Sequence, residues 1–185
     1  RNADPWKVSL DLMVEAEHGS DSQALLVTPS LPLAEAVREV ILSGRFVSGP
    51  RVREFEKRFA EYVGVAEACA VNSGTAAQHA VLAALEVGPG DEVIVPPLTF
   101  MSTVTAVLHQ NAVPVFADIE PDSFCMDPED VARRITSRTR AIVPVHLFGN
   151  VAAMDRLLEL GEKHGIPVVE DCAQAHGAAL HGRRV

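Results

Sequence analysis

From about residue 66 onward, short apolar runs alternate with stretches of helical periodicity. The runs cover residues 68–71, 92–96, 113–118, 141–147 and 167–170, and helices are expected between them over about 75–87, 101–111, 128–136 and 152–164. Turn residues punctuate the series at Gly88-Pro89-Gly90-Asp91, Glu120-Pro121-Asp122 and Gly165-Ile166-Pro167. Alternation of this kind predicts βαβ units. The expected fold class is α/β, a mostly parallel sheet with flanking helices.

Helix ends are also legible. Asp127-Pro128-Glu129-Asp130 reads as an N-cap, a proline at the first helical position and acids in the first turn. Two more helices precede the sheet, at about 32–43 and 51–63. In the second, Val52, Phe55, Phe59 and Val63 recur at helical spacing. Gly44 and Gly64 are expected to close them. Residues 1–30 differ: they hold none of the later strand pattern and their own acidic helix is expected over about 5–17. The expected division is an N-terminal extension, 1–30, and an α/β domain, 31–185.

The bulk numbers narrow the function. A chain of 185 residues, 48% hydrophobic and 22% charged, suits a soluble domain with a sizeable core. Its net charge is −9, with no basic stripe, so nucleic acid is not the expected partner. No apolar run approaches the roughly 18 residues of a membrane span, and Arg1-Asn2-Ala3-Asp4 lacks a signal-peptide core. Cys69, Cys125 and Cys172 are odd in number and too widely spaced for a zinc knuckle; they are expected to be small buried hydrophobes in a cytoplasmic protein. No metal site is expected. The chain starts with Arg and ends on a basic, turn-like sequence, which raises the expectation of a fragment.

Two motifs carry the chemistry. Asn72-Ser73-Gly74-Thr75-Ala76-Ala77 follows an apolar run and opens a helix, a place where backbone N–H groups and the helix dipole converge on an anion. Gly74 admits a close approach of the backbone, Thr75 adds a hydroxyl, and Ser73 offers another. About a hundred residues on, Glu170-Asp171-Cys172-Ala173-Gln174-Ala175-His176-Gly177 follows the run Ile166-Pro167-Val168-Val169. Asp171 is then expected at a strand's carboxyl end, where open α/β sheets bind ligands. A carboxylate and a phosphate cradle at strand ends suit pyridoxal 5'-phosphate (PLP). Its pyridinium nitrogen is favoured by a neighbouring aspartate. Gln174 is placed to reach the ring's phenolic oxygen. Phe100, in Pro97-Leu98-Thr99-Phe100 just after the run at 92–96, is placed to stack on the ring.

In their order the motifs resemble the DegT/StrS-type sugar aminotransferases, which have the fold-type I PLP architecture. The resemblance extends over about residues 35–185. It rests also on Ser43-Gly44-Arg45-Phe46-Val47-Ser48-Gly49-Pro50, Gly88-Pro89-Gly90-Asp91-Glu92-Val93-Ile94 and Val145-His146-Leu147-Phe148-Gly149-Asn150. It implies that Gly74 and Thr75 bind the cofactor phosphate, that Phe100 stacks on the ring, and that Asp171 and Gln174 contact its nitrogen and its oxygen. It implies an amino donor, glutamate or glutamine, and a keto sugar nucleotide or keto cyclitol as acceptor. It also implies a homodimer with sites at the subunit interface, and a substrate-bordering loop at Val47-Ser48-Gly49-Pro50. The family's Schiff-base lysine would fall beyond Val185. Lys7, Lys57 and Lys163 are the lysines present, and Lys57 and Lys163 read as solvated. The residues with catalytic roles are therefore unknown, and residues 1–185 are expected to be inactive alone. Two alternatives stay open: a sugar dehydratase of the same family, and a non-catalytic partial domain.

A second resemblance covers residues 4–40. The stretch from Asp11 to Thr28 is similar to an internal segment of histidinol dehydrogenase, with Glu15 and His18 at positions that hold zinc in that family. Two ligands do not build a zinc site.

Overall fold

The computed structural model describes residues 4–5, 30–42 and 49–185. The histidinol-dehydrogenase-like stretch, most of the expected helix over 5–17, Gly44, Val47 and Ser48 lie outside the described residues. Two compact units divide the chain, Arg1–Phe59 and Ala60–Val185.

In the first unit, helix α1 (Leu31–Leu42) starts behind Ser30, whose hydroxyl oxygen accepts the Leu33 N–H at 3.4 Å. Helix α2 (Pro50–Val63) opens on a proline, which suits the first turn because no N–H is needed there. Its Phe55 and Phe59 rings lie 5.5 Å apart, yet Phe55 is 56% exposed, so the apolar spacing does not mark a fully buried face.

In the second unit, which starts at Ala60, the last turn of α2 closes at Gly64. This residue has φ +88, and its N–H donates to the Ala60 carbonyl at 2.8 Å, as does that of Val65 at 3.0 Å. That closes the helix as expected, because only glycine enters the left-handed region without steric cost. Next come α3 (Gly74–Ala84), β1 (Glu92–Val95), α4 (Ser102–His109), β2 (Val113–Phe116), α5 (Pro128–Arg134), β3 (Thr139–Ile142) and α6 (Met154–His164). A two-residue antiparallel pair follows, β4 (Ala179–Leu180) with β5 (Arg183–Arg184).

The sheet order is β2-β1-β3 and every pairing is parallel. β1 is central and buried at all four positions, as a strand covered on both faces should be. Its side chains alternate between two cores. Ile94 packs with Ile142, Val131, Met154 and Leu157 from the α5–α6 side. Val93 and Val95 pack with Leu82, Ala106 and Val107 from α3 and α4. Each such fully buried aliphatic side chain is worth about 1.5–3 kcal/mol relative to exposure. β2 is the half-exposed edge and carries Pro114, which cannot donate to a ladder. The chain runs from β1 to one neighbour and then to the other side of β1, which makes the carboxyl end of β1 a topological switch point.

Three expectations need correction. Residues 68–71 form no strand and take no place in the β2-β1-β3 sheet. Cys69 is exposed and Cys172 only half-buried, so of the three cysteines expected to be buried Cys125 alone is. The run at 167–170 is not a full strand either: it meets the sheet through two parallel bridges, Ile142 with Val168 and Val145 with Asp171.

Two buried carboxylates secure the loops beneath this frame. Asp130 accepts the Asp118 N–H at 2.7 Å and pairs with Arg133 and Arg134. Glu92 accepts from Thr136 at 2.5 Å and pairs with Arg138. The Asp118 N–H and the two guanidiniums hold the Asp130 carboxyl below its ordinary value, and Thr136 and Arg138 do the same for Glu92. A lowered folded-state pKa adds stability above the unfolded value, and that stability is lost as pH falls through the folded one. The protein should therefore weaken below about pH 4. Urea unfolding at pH 7 and pH 3 should show a smaller difference for Asp130→Asn than for the parent; an equal difference would remove Asp130 from the account.

Candidate functional site

Asp171 ends the bridge segment, paired with Val145. Its N–H donates to the Pro144 carbonyl at 2.9 Å, and its own carbonyl accepts the His146 N–H at 3.0 Å. This backbone pairing fixes where its side chain emerges. Carboxylate Oδ1 accepts the Ala173 N–H at 3.0 Å. Oδ2 accepts from the Gln78 amide Nε2 and, at 3.3 Å, from the Thr103 hydroxyl. Gln78 lies on α3 one turn after Gly74, and Thr103 lies in the first turn of α4, three residues after Phe100. Two side-chain hydrogen bonds thus join the α3 start, the Phe100 loop and Asp171.

The α3 N-terminus is built by Ser73. Its backbone is extended, and its hydroxyl oxygen accepts the Ala76 N–H at 3.1 Å. Ser73 is therefore the helix cap, so its oxygen is engaged by the chain itself. The Gly74 and Thr75 N–H groups are the first-turn donors that helix geometry leaves unspent. A Cβ built on Gly74 would meet no atom within 4 Å, so the backbone there faces open space.

Phe100 is 72% exposed. Gln174 is exposed, and its Oε1 accepts the Phe148 N–H at 2.8 Å. Phe148 takes φ +56, a left-handed conformation uncommon for a side-chain-bearing residue, in the short helical turn Leu147–Gly149. That turn follows β3, so Gln174 is anchored at the carboxyl end of the sheet beside Asp171.

Behind Asp171 lies a fully buried histidine. His146 Nδ1 accepts the Ala152 N–H at 3.1 Å, so the proton sits on Nε2, which donates to Glu170 at 3.0 Å. Next along the chain, burial and the neighbouring Glu170 and Asp171 charges push the Cys172 thiol up to about 11, leaving it protonated and unreactive at neutral pH. A cleft of about 600 Å³ lies on the Glu170 side, bordered by Val63, Gly64, Gly177, Arg183 and Arg184. None of the five expected site residues lines it.

Lys57 and Lys163 are both exposed. Among the described residues no helix is long and apolar enough to cross a membrane, and no group of three His, Cys, Asp or Glu side chains could hold a metal ion. Gln78, Thr103 and His146 carry no role in the sequence reading. The available signals were modest: Gln78 is a polar residue four positions after Gly74 in an Ala-rich helix, and His146 interrupts an apolar run.

The donor set matches a phosphorylated pyridine. It comprises unspent helix N–H groups and a hydroxyl for a phosphate, a carboxylate for a cationic ring nitrogen, an exposed aromatic ring and an amide. Gln78 Oε1 is a buried acceptor with no hydrogen-bond partner among the described residues.

Comparison with known proteins places the chain. The model of the DegT/DnrJ/EryC1/StrS aminotransferase family matches residues 32–185, and the chain belongs to that family. It is 50% identical over 164 residues to the L-glutamine:2-deoxy-scyllo-inosose aminotransferase of Streptomyces lividus, covering 85% of this chain and 39% of that protein. It is 47% identical over 150 residues to the dTDP-3-amino-3,4,6-trideoxy-alpha-D-glucose transaminase of Streptomyces venezuelae, covering 81% of this chain and 40% of that protein. NtdA from Bacillus subtilis, solved with the cofactor pyridoxamine phosphate (PMP), superposes with a TM-score of 0.76 at 37% identity, covering 82% of this chain and 35% of that one. The chain thus spans about two fifths of the length of the curated relatives it matches.

Proposed function

We propose that residues 31–185 form the cofactor-holding part of a PLP-dependent aminotransferase. It would move an amino group from glutamine or glutamate onto a keto cyclitol or keto sugar nucleotide. The observation that carries this is the convergence of Asp171 with the start of α3 and the Phe100 loop, through Gln78 and Thr103. Similarity to an inosose aminotransferase and to a dTDP-sugar transaminase supports amino transfer over dehydration.

When bound, PLP supplies an electron-accepting ring that carries the amino group between donor and acceptor. The chain's own residues prepare for it. The Gly74 and Thr75 N–H groups, with the Thr75 hydroxyl, would hold the phosphate at the positive end of α3. Asp171 would hold a proton on the ring nitrogen by charge. Phe100 would cover one ring face. Gln174, its Oε1 engaged by Phe148, would turn its Nε2 donors to the ring oxygen. We place the lysine outside the described residues, since Lys57 and Lys163 lie exposed on helix surfaces. We further infer a cytoplasmic homodimer for the full-length protein. Phe148, exposed beside the site, is the candidate surface for a second subunit.

The test is a fluorescence titration of the purified chain with PMP, which needs no lysine to bind. Saturable binding that inorganic phosphate displaces is expected; no saturable binding would contradict the reading.

A further inference from the structure

Asp171 is gripped by side chains from two helices, and neither is among the five residues assigned to the cofactor. Both grips fall on one oxygen. Gln78 Nε2 and Thr103 Oγ1 donate to Oδ2, whereas Oδ1 receives the Ala173 N–H. Each carboxylate oxygen has about two acceptor sites. Oδ2 is filled, and Oδ1 keeps one site.

The orientation of Gln78 follows from chemistry. Turned over, its Oε1 would face an acceptor-only oxygen, so the amide nitrogen belongs there. The consequence is that buried Oε1 lacks a partner among the described residues, and an unpaired buried acceptor is destabilising. A residue serving only to pack α3 would be apolar, like buried Leu82 on the same helix. Thr103 is directed too. It is 1% exposed and its hydrogen goes to the carboxylate, so its oxygen accepts from Thr99, 2.9 Å away. Thr99, Thr103 and Asp171 form a one-way chain.

We propose that Gln78 and Thr103 are positioning residues: they lock the Asp171 carboxylate through Oδ2, so that Oδ1 is presented to the N–H of a bound pyridinium ring. This role rests on the cofactor reading above.

The test uses PMP labelled with ¹⁵N in the ring, bound to the parent, Gln78→Leu, Thr103→Val and Thr103→Ser. Gln78→Leu should weaken PMP about tenfold, the loss of one hydrogen bond to a charged acceptor. It should also move the ring ¹⁵N resonance toward that of the unprotonated pyridine. Thr103→Val should do the same to a smaller extent, and Thr103→Ser, which keeps the hydroxyl, should restore parent behaviour. Parent-like affinity and resonance in Gln78→Leu and Thr103→Val, even with a lower melting temperature, would make both mere packing residues and overturn the proposal. If Gln78→Leu does not fold, the Thr103 pair decides alone. A parent that takes up no PMP would bring down the cofactor reading first, and the positioning role with it.

Discussion

Asp171→Asn should lower the affinity of the protein for PMP by about ten- to hundredfold at neutral pH, the effect of losing a charge-assisted hydrogen bond to a cationic nitrogen. The substitution keeps the shape of the side chain and removes its charge. It also sets an amide NH₂ among the donors that now converge on the carboxylate from Gln78, Thr103 and Ala173. At least one donor would then lose its acceptor. The residual binding should come from the phosphate end, so inorganic phosphate should displace PMP from the variant at lower concentration than from the parent. A titration of both proteins by fluorescence checks this. Equal affinities would show that Asp171 does not face the ring, and that the strand-end geometry serves another purpose.

Gly161→Ala should destabilise the protein and weaken PMP binding together, although Gly161 lies on α6 rather than in the site. A Cβ there would come within 2.7 Å of the Ile166 carbonyl oxygen and 2.8 Å of Val168 Cγ2. The first obstacle is backbone, so the segment itself must shift. Alanine would improve the helix by about 1 kcal/mol, but overpacking of this kind costs about 1–3 kcal/mol, and contact with backbone puts this site at the high end. The displaced residues are those that bridge Ile142 to Val168 and lead directly into Asp171. Gly88→Ala is the control, because its Cβ would meet nothing within 4 Å; it should change stability by less than about 0.5 kcal/mol. Urea unfolding and PMP titration of the two variants separate the outcomes. If Gly161→Ala loses stability but binds like the parent, the 166–168 segment does not set the position of Asp171.

How much of this was legible depends on where the deciding interactions are local. The βα alternation was readable because β1 is buried on both faces and turn residues such as Gly88-Pro89-Gly90-Asp91 and Gly165 separate the elements. The Asp127–Pro128 start was readable because capping involves neighbours in sequence, here the Glu129 N–H on the Asp127 side chain. Gly64 was readable for the same reason. Residues 68–71 misled because apolar composition says nothing about whether a sheet edge is free. The 167–170 run was placed correctly beside the sheet, but its reduction to two bridges depends on long-range register. Within the site, the Ser73-Gly74-Thr75 turn and the Asp171 strand end were visible as motifs. The ties between them were not: Gln78 is 93 residues from Asp171, and Thr103 is 68. No periodicity encodes that pairing. His146 was hidden similarly, since its partners Ala152 and Glu170 come from separate loops.

A crystal structure of the protein with PMP would show whether Asp171 faces the ring nitrogen and the start of α3 holds the phosphate. The ring nitrogen should lie at hydrogen-bond distance, about 3 Å, from the Asp171 carboxylate, with the phosphate on the Gly74 and Thr75 N–H groups. A phosphate bound elsewhere, or a ring nitrogen facing away from Asp171, would contradict that placement.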